Sequence, residues 1–486
     1  MKRVFTILFM IAIIVGHFVG LMAAAYVVGG LAEKHLFTGA SRLTNLLILQ
    51  LALVMGIASL LTVAERKWSS LMQDRIGPNR ARINLPLIKD NALGGIPHFL
   101  ADGLKMLFKE DFMPATANKL LYNLGPMLAF GPVFALFAVV PAGPSVPVFG
   151  QAVDMVVATP DFGILYVFAI ASLAVYGTSL AGWSSNNKFA LLGGVRASSQ
   201  MISYEVALGL SLVGLMLCFS TVQLPVFVEK QATYLWGGSF GGFDVGIPAW
   251  GFLLQPMAFF LFFAAAFAET KRAPFDSPEG ESEIIGYFVE YSGMKFGLFM
   301  ISEFVEIVIL SGLIVVLFFG GYHLPIGDQW VANLAIMKEH GWLYGTLMGT
   351  VFWLKVLFFI RLQLTIRWTF MRFRYDQIQT LGWKILLPIG LINVFATGAL
   401  VLWDPSLRAL ALFGGVQIVV LLAMTLYSGG AHGQTDEGHG HGGAHGHGHD
   451  AHGAHGGHEL PAHAHAAHAD PHSAGAHAAA HPASSH

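Results

Sequence analysis

The sequence contains a single cysteine, Cys218, and few charged residues: only 12% of its 486 positions are Asp, Glu, Lys or Arg. One cysteine excludes an internal disulfide framework and an iron–sulfur cluster held by several cysteines of this chain. A flavin or nicotinamide site would need a soluble fold, for which the chain has no room. Hydrophobic residues make up 55% of the sequence, which is typical of a polytopic membrane protein.

Ten apolar stretches are long enough, at about twenty residues, to cross a bilayer as helices. We therefore predict an all-α polytopic membrane protein with about ten transmembrane helices. The first stretch has a second interpretation as a signal peptide, with Lys2-Arg3 as its charged start and Ala23-Ala24-Ala25 as a cleavage site. Its length favours a retained helix. The predicted spans are 4–30, 43–64, 120–142, 162–181, 197–219, 250–268, 296–319, 344–365, 384–403 and 407–427.

The basic residues are distributed unevenly among the loops between these spans. Segment 65–119 holds nine Lys and Arg residues, whereas the long loops 220–249 and 320–343 hold one lysine each. Because cytoplasmic loops carry the excess of Lys and Arg, this pattern predicts that the N-terminus and the C-terminal tail are cytoplasmic. We expect a multi-pass protein of the bacterial inner membrane.

Residues 268–306 concentrate acidic side chains between two apolar spans. An ionisable group at membrane depth is costly unless it is paired or hydrated. Asp276-Ser277-Pro278-Glu279 has the pattern of a helix start, and a helix from there would place Glu279, Glu283 and Glu290 on one face. Crowded carboxylates raise one another's pKa, so the stretch predicts a proton or ion path. The alternative is a solvated acidic loop before a helix with paired glutamates. The eight acids are Glu269, Asp276, Glu279, Glu281, Glu283, Glu290, Glu303 and Glu306.

Two further polar positions lie at or inside predicted spans. Glu65 and Arg66 end the second span, where an acid and a neighbouring cation can hold a polar headgroup. The alternative there is a positive-inside anchor, with Trp68 in the interfacial belt. Glu205 lies about two turns inside its span, which makes it a candidate functional acid, although a structural pair with Arg196 is the alternative.

Local patterns predict two other features of the chain. Residues 98–110 have apolar side chains at helical spacing with charges on the other side, which predicts an amphipathic interfacial helix. Gly125-Pro126 and Gly131-Pro132 are expected to break the span that contains them.

The tail from 428 to 486 differs from the rest, because it holds 16 of the 21 histidines among Gly and Ala. Such a segment cannot bury a core, and we predict that it is disordered. Loose binding of a divalent metal ion is one hypothesis for it, and a solvated extension is the other. A metal-ion transporter with a histidine-rich tail is a remote alternative for the chain, since its spans lack His or Asp pairs at i, i+4. The tail histidines considered for metal are His439, His441, His445, His447 and His449.

Five segments together resemble a known family: ERK…QDRIGPNR, ADGLKMLFKED, RASSQMISYEVALGLSL, AETKRAPFDSPEGESEIIGYFVEYSGMKFGLF and RFRYDQIQTLGWKILLP. They resemble the quinone-site membrane subunit of respiratory complex I, the H-type subunit family of NADH-quinone oxidoreductase. The resemblance covers about residues 43–403. Met371 departs from the family's usual proline, and His98-Phe99 departs from its usual Gln-Pro. A more distant resemblance to the membrane subunit of energy-converting hydrogenases leaves that function as the alternative.

The resemblance implies a domain organisation and an activity. Residues 1–40 would add a helix before an eight-helix core at 41–403, and 404–427 would add one after it, followed by the tail. The chain would be one subunit of a proton-translocating NADH:quinone oxidoreductase. Quinone would be the substrate, no cofactor would be bound covalently, and flavin and iron–sulfur clusters would belong to partner subunits. The expected partners are peripheral quinone-module subunits, small and antiporter-like membrane subunits, and the lipid bilayer, but no nucleic acid.

The resemblance also implies roles for particular residues. Our mechanistic hypothesis is that Glu205, Glu290 and Glu303 relay the charge change of quinone reduction, because coupled acids in a low-dielectric site respond strongly to it. The residues implied for the quinone chamber are Glu65, Arg66, Arg272 and Asp276, and those implied for the proton path are Glu205, Glu269, Glu279, Glu281, Glu283, Glu290 and Glu303.

Overall fold

The computed structural model describes residues 2–37, 39–81, 83–85, 88–91, 95–240, 243–280, 286–325 and 340–433. Within these residues the chain is mostly helical, and its strands form three two-stranded hairpins. Nine of the described helical segments are long and apolar enough to cross a membrane, and a shorter apolar helix covers Pro256–Glu269. Each of the ten predicted spans corresponds to one of these segments, so the predicted all-α membrane fold is confirmed.

The elements follow the chain in a simple order. The helices are α1 (Lys2–His35), α2 (Ala40–Asn45), α3 (Met55–Met72), α4 (Pro97–Phe108), α5 (Lys119–Leu136), α6 (Gly163–Ser184), α7 (Lys188–Phe219), α8 (Leu224–Gln231), α9 (Gly251–Leu254), α10 (Pro256–Glu269), α11 (Gly293–Phe318), α12 (Gly341–Thr369), α13 (Tyr375–Thr380), α14 (Leu387–Trp403) and α15 (Arg408–Gly433). Two π-helical stretches, Leu46–Val54 and Leu381–Leu386, join α2 to α3 and α13 to α14, and the 3-10 turn Phe137–Val139 follows α5. The antiparallel hairpins are β1 (Ile83–Leu85) with β2 (Ile88–Asn91), β3 (Val146–Val148) with β4 (Gln151–Val153), and β5 (Tyr234–Phe240) with β6 (Phe243–Pro248).

The two Gly-Pro pairs do not break α5, so that expectation from the sequence is wrong. Proline lacks the N–H that would bond the carbonyl four residues earlier. For Pro126 this carbonyl belongs to Tyr122, and the hydroxyl of Tyr291 donates to it at 3.1 Å. α6 also packs closely here, since a Cβ on Gly177 would lie 2.4 Å from the backbone nitrogen of Ala129. A neighbouring segment thus replaces the lost bond, and the helix continues.

The predicted span at 250–268 is divided rather than continuous. The backbone of Gln255, with φ −142° and ψ 69°, separates α9 from α10, and Pro256 begins the second helix. The buried side chain of Gln255 donates to the hydroxyl of Thr397 at 2.8 Å, which fixes the break against α14. The resulting α10 has only 14 residues.

α11 lies at the centre of the helical bundle. Every residue from Ser302 to Phe318 is buried. The helix packs against α3, α5, α8 and α12. Because protein covers all its sides, the acids that α11 carries lie in a low-dielectric environment, where they need partners.

The first predicted span is a helix that packs on α12. Phe18 stacks on Trp353 with ring centroids 5.9 Å apart, and the Tyr26 hydroxyl donates to the carbonyl of Pro144 at 2.8 Å. A Cβ on Gly345 would lie 2.5 Å from the Tyr26 ring. Small residues on α12 therefore allow α1 to approach closely.

The connection from α10 to α11 does not form, among its described residues, the helix predicted to begin at Asp276. Its described residues, 270–280 and 286–292, form turns and bends. The carbonyl of Pro274 accepts from the backbone N–H of Phe373 at 3.0 Å, and the carbonyl of Phe275 accepts from a glutamine of α7. Bonds to other segments thus hold the backbone just before the predicted start of the helix.

Residues 1–426 form one compact unit, and residues 427–486 form a second, of which only 427–433 are described. The division of the first unit into a core with an added helix at each end stays a prediction. The histidine-rich tail beyond 433, with the five histidines considered for metal, lies outside the described residues.

Candidate functional site

Nine charged side chains meet at the end of the buried part of α11, where α3, α12 and the α10–α11 connection come together. Five of the residues predicted for the chamber or the proton path belong to this group. The fold brings together residues here that are as far apart in the sequence as Glu65 and Arg367. We call the group the charged cluster; it consists of Glu65, Lys271, Arg272, Asp276, Glu279, Glu303, Glu306, Arg367 and Arg372.

Arg272 is the central cation of the charged cluster. Its Nη1 donates to Oε2 of Glu65 at 2.9 Å, and its Nε lies 3.5 Å from Oε2 of Glu303. Its guanidinium carbon is 4.1 Å from the ring centroid of Phe304, a cation–π distance. Arg272 is only 4% exposed, so its charge depends on these neighbours rather than on water. One side chain thus connects an acid of α3 with an acid of α11.

Two further arginines of the cluster lie at the C-terminal end of α12 and in the loop after it. Arg367 makes a close ion pair with Oε1 of Glu65, so Glu65 is shared by two cations. Arg372 contacts Oδ2 of Asp276 at 2.5 Å, and its side chain is 38% exposed. The second pair lies nearer the surface than the first.

Lys271 forms the other buried pair of the cluster, with its Nζ 3.7 Å from Oε2 of Glu306. The backbone of Lys271 has a φ of +55°, which is uncommon for a residue with a Cβ and costs of order 1–3 kcal/mol. Glu269, two residues earlier, is close enough to Glu306 and Glu205 for their charges to act on its own. The acids of α10, α11 and α7 therefore form a series behind the charged cluster.

The acids of the α10–α11 connection have displaced pKa values. Burial raises the pKa of Asp276 to about 6, although the charge of Arg372 and its hydrogen bond oppose the rise. Burial raises the pKa of Glu279 well above its usual range, and the charge of Glu303 and a hydrogen bond with it raise the pKa further. Both displacements favour the protonated form of the carboxyl, and Asp276 exchanges its proton near pH 6.

The two cations of the connection stay charged. Burial lowers the pKa of Lys271, but the charges of Glu306 and Glu303 outweigh this effect and raise the pKa overall. Burial likewise lowers the pKa of Arg272, and the charges of Glu65 and Glu303 more than compensate. The connection thus combines fixed positive charges with acids that exchange protons.

Five buried polar atoms of the cluster and its neighbour Ser277 make no hydrogen bond within the described part of the chain. Most buried polar groups in proteins have a partner, so this concentration is unusual. Two of these atoms, Arg272 Nε and Arg367 Nη1, still make the ion-pair contacts described above. The other three are Asp276 Oδ1, Ser277 Oγ and Glu279 Oε1.

Two small cavities adjoin the site. One, of about 10 Å³, is lined on its polar side by Thr270, Arg272, Gln363 and Arg367. The other, of about 30 Å³, has only Glu269 and Glu306 as charged residues in an otherwise apolar lining from α5, α6, α7, α8, α10 and α11. A volume of this order is enough for one or two water molecules.

The structure does not bring every residue predicted for the site into the cluster. Glu205 is partly buried on α7 and accepts a hydrogen bond from Ser172 of α6 at 2.7 Å, not from Arg196. Arg66 pairs with Asp102 of α4 at 2.6 Å, and its side chain is 52% exposed. These residues therefore flank the charged cluster.

Glu290 also lies apart from the cluster. It was expected on one helix face with Glu279 and Glu283, but its Oε1 accepts from Nδ2 of Asn187 at 2.7 Å, and its segment is not helical. Glu281 and Glu283 lie outside the described residues. The shared helix face is therefore wrong at Glu290.

Several residues of the site were missed as site residues by the sequence reasoning. Lys271, Arg367 and Arg372 were not among the predicted site residues, and Glu306 was named only as one of the eight acids of 268–306. A second acid three residues from the first is a signal that points to Glu306, whereas Arg367 lies two residues beyond the predicted span 344–365.

The fold and the charged cluster together define a polytopic membrane protein with a buried ionisable site at one end of its central helix. A family model described as NADH dehydrogenase matches residues 44–398. The chain belongs to this family, as a member of the group of H-type NADH-quinone oxidoreductase subunits, which are membrane subunits of complex I.

Curated relatives support this assignment over most of their length. An H-type NADH-quinone oxidoreductase subunit of Cytophaga hutchinsonii is 42% identical over 347 residues, which cover 71% of this chain and 92% of the relative. The H-type subunit of Flavobacterium johnsoniae is 41% identical over 359 residues, 73% of this chain and 94% of the relative. That of Syntrophotalea carbinolica is 38% identical over 363 residues, 74% of this chain and 97% of the relative.

Proposed function

We propose that this chain forms part of the quinone chamber of a proton-translocating NADH-quinone oxidoreductase and carries the first acids of its proton path. The observation that carries the proposal is the position of Arg272, a buried cation in contact with both Glu65 and Glu303. Glu65, Arg66, Arg272 and Asp276 would border the chamber. Family membership supplies the substrate class, and the cluster supplies groups that respond to a change in its charge.

The chemistry would be divided between this chain and its partners. A quinone needs two electrons and two protons to become a quinol. The electrons would come from flavin and iron–sulfur clusters of peripheral partner subunits. The residues of this chain would bind and orient the quinone, exclude water and hold the protons.

The coupling step would begin at Arg272. A negative charge about 4 Å from a cation interacts with about 4 kcal/mol at an effective dielectric constant of 20. That energy is large compared with thermal energy, so a reduced quinone near Arg272 would compete with Glu65 and Glu303 for it. A carboxylate left without its cation in a buried site must gain a proton or another partner.

The path would continue from Glu303 through acids whose charges act on one another. Glu279 interacts with Glu303 directly, and Glu306 lies three residues further along α11. Glu269 interacts with Glu306 and Glu205, which leads from α11 through α10 to α7. Asp276 Oδ1, Ser277 Oγ and Glu279 Oε1, which make no hydrogen bond among the described residues, would give water or a substrate oxygen places to bind.

Quinone would enter the chamber from the bilayer beside α4. No residue of this amphipathic helix is buried, and its apolar face includes Leu100, Leu107 and Phe108, the last 86% exposed. The pair between Arg66 and Asp102 attaches α4 to α3, the helix that carries Glu65. An apolar face at this position suits both the membrane surface and an apolar substrate.

The proposed function also implies on which side of the membrane the charged cluster lies, and in which membrane. The basic loops put the charged cluster on the cytoplasmic side of a bacterial inner membrane. Peripheral quinone-module subunits would dock there, and small and antiporter-like membrane subunits would continue the proton path within the bilayer.

The test uses the whole complex in membranes, with NADH-dependent quinone reduction and proton uptake as readouts. Glu303→Gln should lower both, while NADH oxidation by a water-soluble artificial acceptor, which reports the partner subunits, stays unchanged. Glu229→Gln is the matched control, since Glu229 is an exposed acid of α8. Full quinone reduction and full proton translocation in Glu303→Gln would contradict the proposed path. Co-purification with a nickel–iron hydrogenase would keep the fold and replace the electron donor.

A further inference from the structure

One side chain of α7 holds both ends of the segment that carries the buried cations. Nε2 of Gln200 donates to the carbonyl of Ala268 at 2.7 Å and to the carbonyl of Phe275 at 2.8 Å. Gln200 is completely buried. Lys271 and Arg272 lie between the two carbonyls, so the amide closes a bend around them.

The bend needs such support because its backbone is strained. Lys271 has a positive φ, and a residue with a Cβ keeps this conformation only where the surroundings over-determine it. Inside the bend, the N–H of Phe275 bonds the carbonyl of Arg272 at 2.8 Å. That short turn fixes one half of the bend, and the Gln200 amide fixes the distance between its ends.

Other contacts of the bend are less extensive. The ring of Tyr204, one turn along α7, packs edge-to-face on Phe275 at 5.6 Å. The N–H of Phe373 bonds only the carbonyl of Pro274. Among the described residues, Gln200 is the side chain that bonds the backbone on both sides of the two cations.

We propose that Gln200 is a positioning residue for the charged cluster: its amide holds the bend so that Arg272 reaches Glu65 and Glu303 at the same time. The inference rests on the proposed function, since it assigns Gln200 a role in quinone reduction. Gln200 does not contact the substrate in this account and acts only through Arg272.

A second buried glutamine provides the control that distinguishes a positioning role from a purely structural one. Gln231 is also completely buried, and its amide donates to the carbonyl of Val316 at 2.7 Å and accepts from Gly251 and Gly320 at 3.1 Å each. It lies on α8, near the opposite end of α11. Gln231→Leu thus removes at least as many buried hydrogen bonds without touching the charged cluster.

The experiment compares Gln200→Leu, Gln200→Glu and Gln231→Leu in the whole complex, with rates normalised to NADH oxidation by an artificial acceptor. We expect Gln200→Leu to lower kcat/KM for a short-chain quinone about tenfold, since the bend loses both hydrogen bonds of the amide, and the carbonyl of Ala268 is left with backbone N–H donors such as that of Lys271 at 3.3 Å. In Gln200→Glu, the ionised carboxylate has no proton to donate, whereas the protonated form has one. Its rate relative to the unmodified complex should therefore rise as the pH falls.

Three results would overturn the inference: an unchanged kcat/KM in Gln200→Leu, a pH-independent rate ratio in Gln200→Glu, or an equal loss in Gln231→Leu. If Gln200→Leu does not assemble, Gln200→Glu carries the test through its pH profile. The variant Arg272→Met distinguishes a failure of the positioning role from a failure of the proposed function. Loss of quinone reduction in Arg272→Met with none in the Gln200 variants overturns only the positioning role, whereas full activity in Arg272→Met overturns the proposed function.

Discussion

The pair between Arg372 and Asp276 gives the most direct prediction about pH. Burial raises the pKa of Asp276 to about 6, and the charge and hydrogen bond of Arg372 keep it from rising further. Arg372→Gln removes both opposing effects. The pKa of Asp276 should then increase, and so should the pH at which quinone reduction responds to its ionisation.

The size of the increase follows from the exposure of the pair. An opposite charge within hydrogen-bonding distance lowers the pKa of a carboxyl by roughly 1–3 units. The Arg372 side chain is 38% exposed, and solvent screens its charge, so the lower end applies. We expect the inflection to move by about one unit.

The same displacement has a consequence for stability. The pKa of Asp276 in the fold lies above its value in an unfolded chain, so the folded state binds this proton more tightly. The contribution of Asp276 to the free energy of unfolding is therefore greatest below the unfolded pKa. It decreases as the pH rises through the folded pKa near 6, and it is constant above that.

The assay is the pH profile of kcat/KM for quinone reduction in membranes, between pH 5 and 9. Asp276→Asn should remove the inflection near pH 6, and Arg372→Gln should move it upwards. Arg374→Gln is the matched control, because Arg374 lies two residues further on and pairs with Asp376 at 3.3 Å in an exposed position. An inflection that stays in place in Arg372→Gln, or moves equally in Arg374→Gln, would refute the reasoning.

Three further predictions concern the buried pairs and the tail. Arg272→Met should destabilise the complex by about 3–5 kcal/mol, because it leaves the buried carboxylate of Glu303 without its cation; an unchanged melting temperature would contradict this. Lys271→Met and Glu306→Gln should each lower the melting temperature, and the double variant should lower it by less than the sum of the two single decreases. Strictly additive decreases would show that the pair is not coupled. Deletion of residues 434–486 should abolish retention on immobilised Ni²⁺ and leave quinone reduction unchanged, and retention of the shortened chain would place the metal-binding histidines elsewhere.

The sequence alone predicted the features that depend on local patterns. Apolar stretches of sufficient length identified the ten predicted spans, each of which is helical in the structure, because a membrane span must form its backbone hydrogen bonds internally. Acids in an apolar context gave most of the carboxylates of the cluster, because such residues are costly without a function. Both arguments need only the composition of one segment.

The partners of these acids could not be predicted, because periodicity within one helix does not say which helices are neighbours. Glu65 and Arg272 are 207 residues apart and meet only in the fold. The helix predicted from Asp276 rested on a local start pattern alone, and residues 276–280 are not helical. The two residues before them, Pro274 and Phe275, are bonded by distant segments that such a pattern does not show. Gln200 has no sequence signal of its own, since its importance lies in the two carbonyls that it reaches.

The cations of the cluster are unevenly distributed over its carboxylates, and this determines where a change in charge would be passed on. Within the described residues, Glu65 makes ion pairs with both Arg272 and Arg367, whereas Glu303 makes one, with Arg272. If a negatively charged quinone draws Arg272 away, Glu65 keeps a cation but Glu303 loses its ion pair. Glu303 already shares a hydrogen bond with the carboxyl of Glu279, whose raised pKa favours the protonated form. We therefore expect the change in charge to pass to α11 and its further acids. It should not pass to α3, because Arg367 remains paired with Glu65 there.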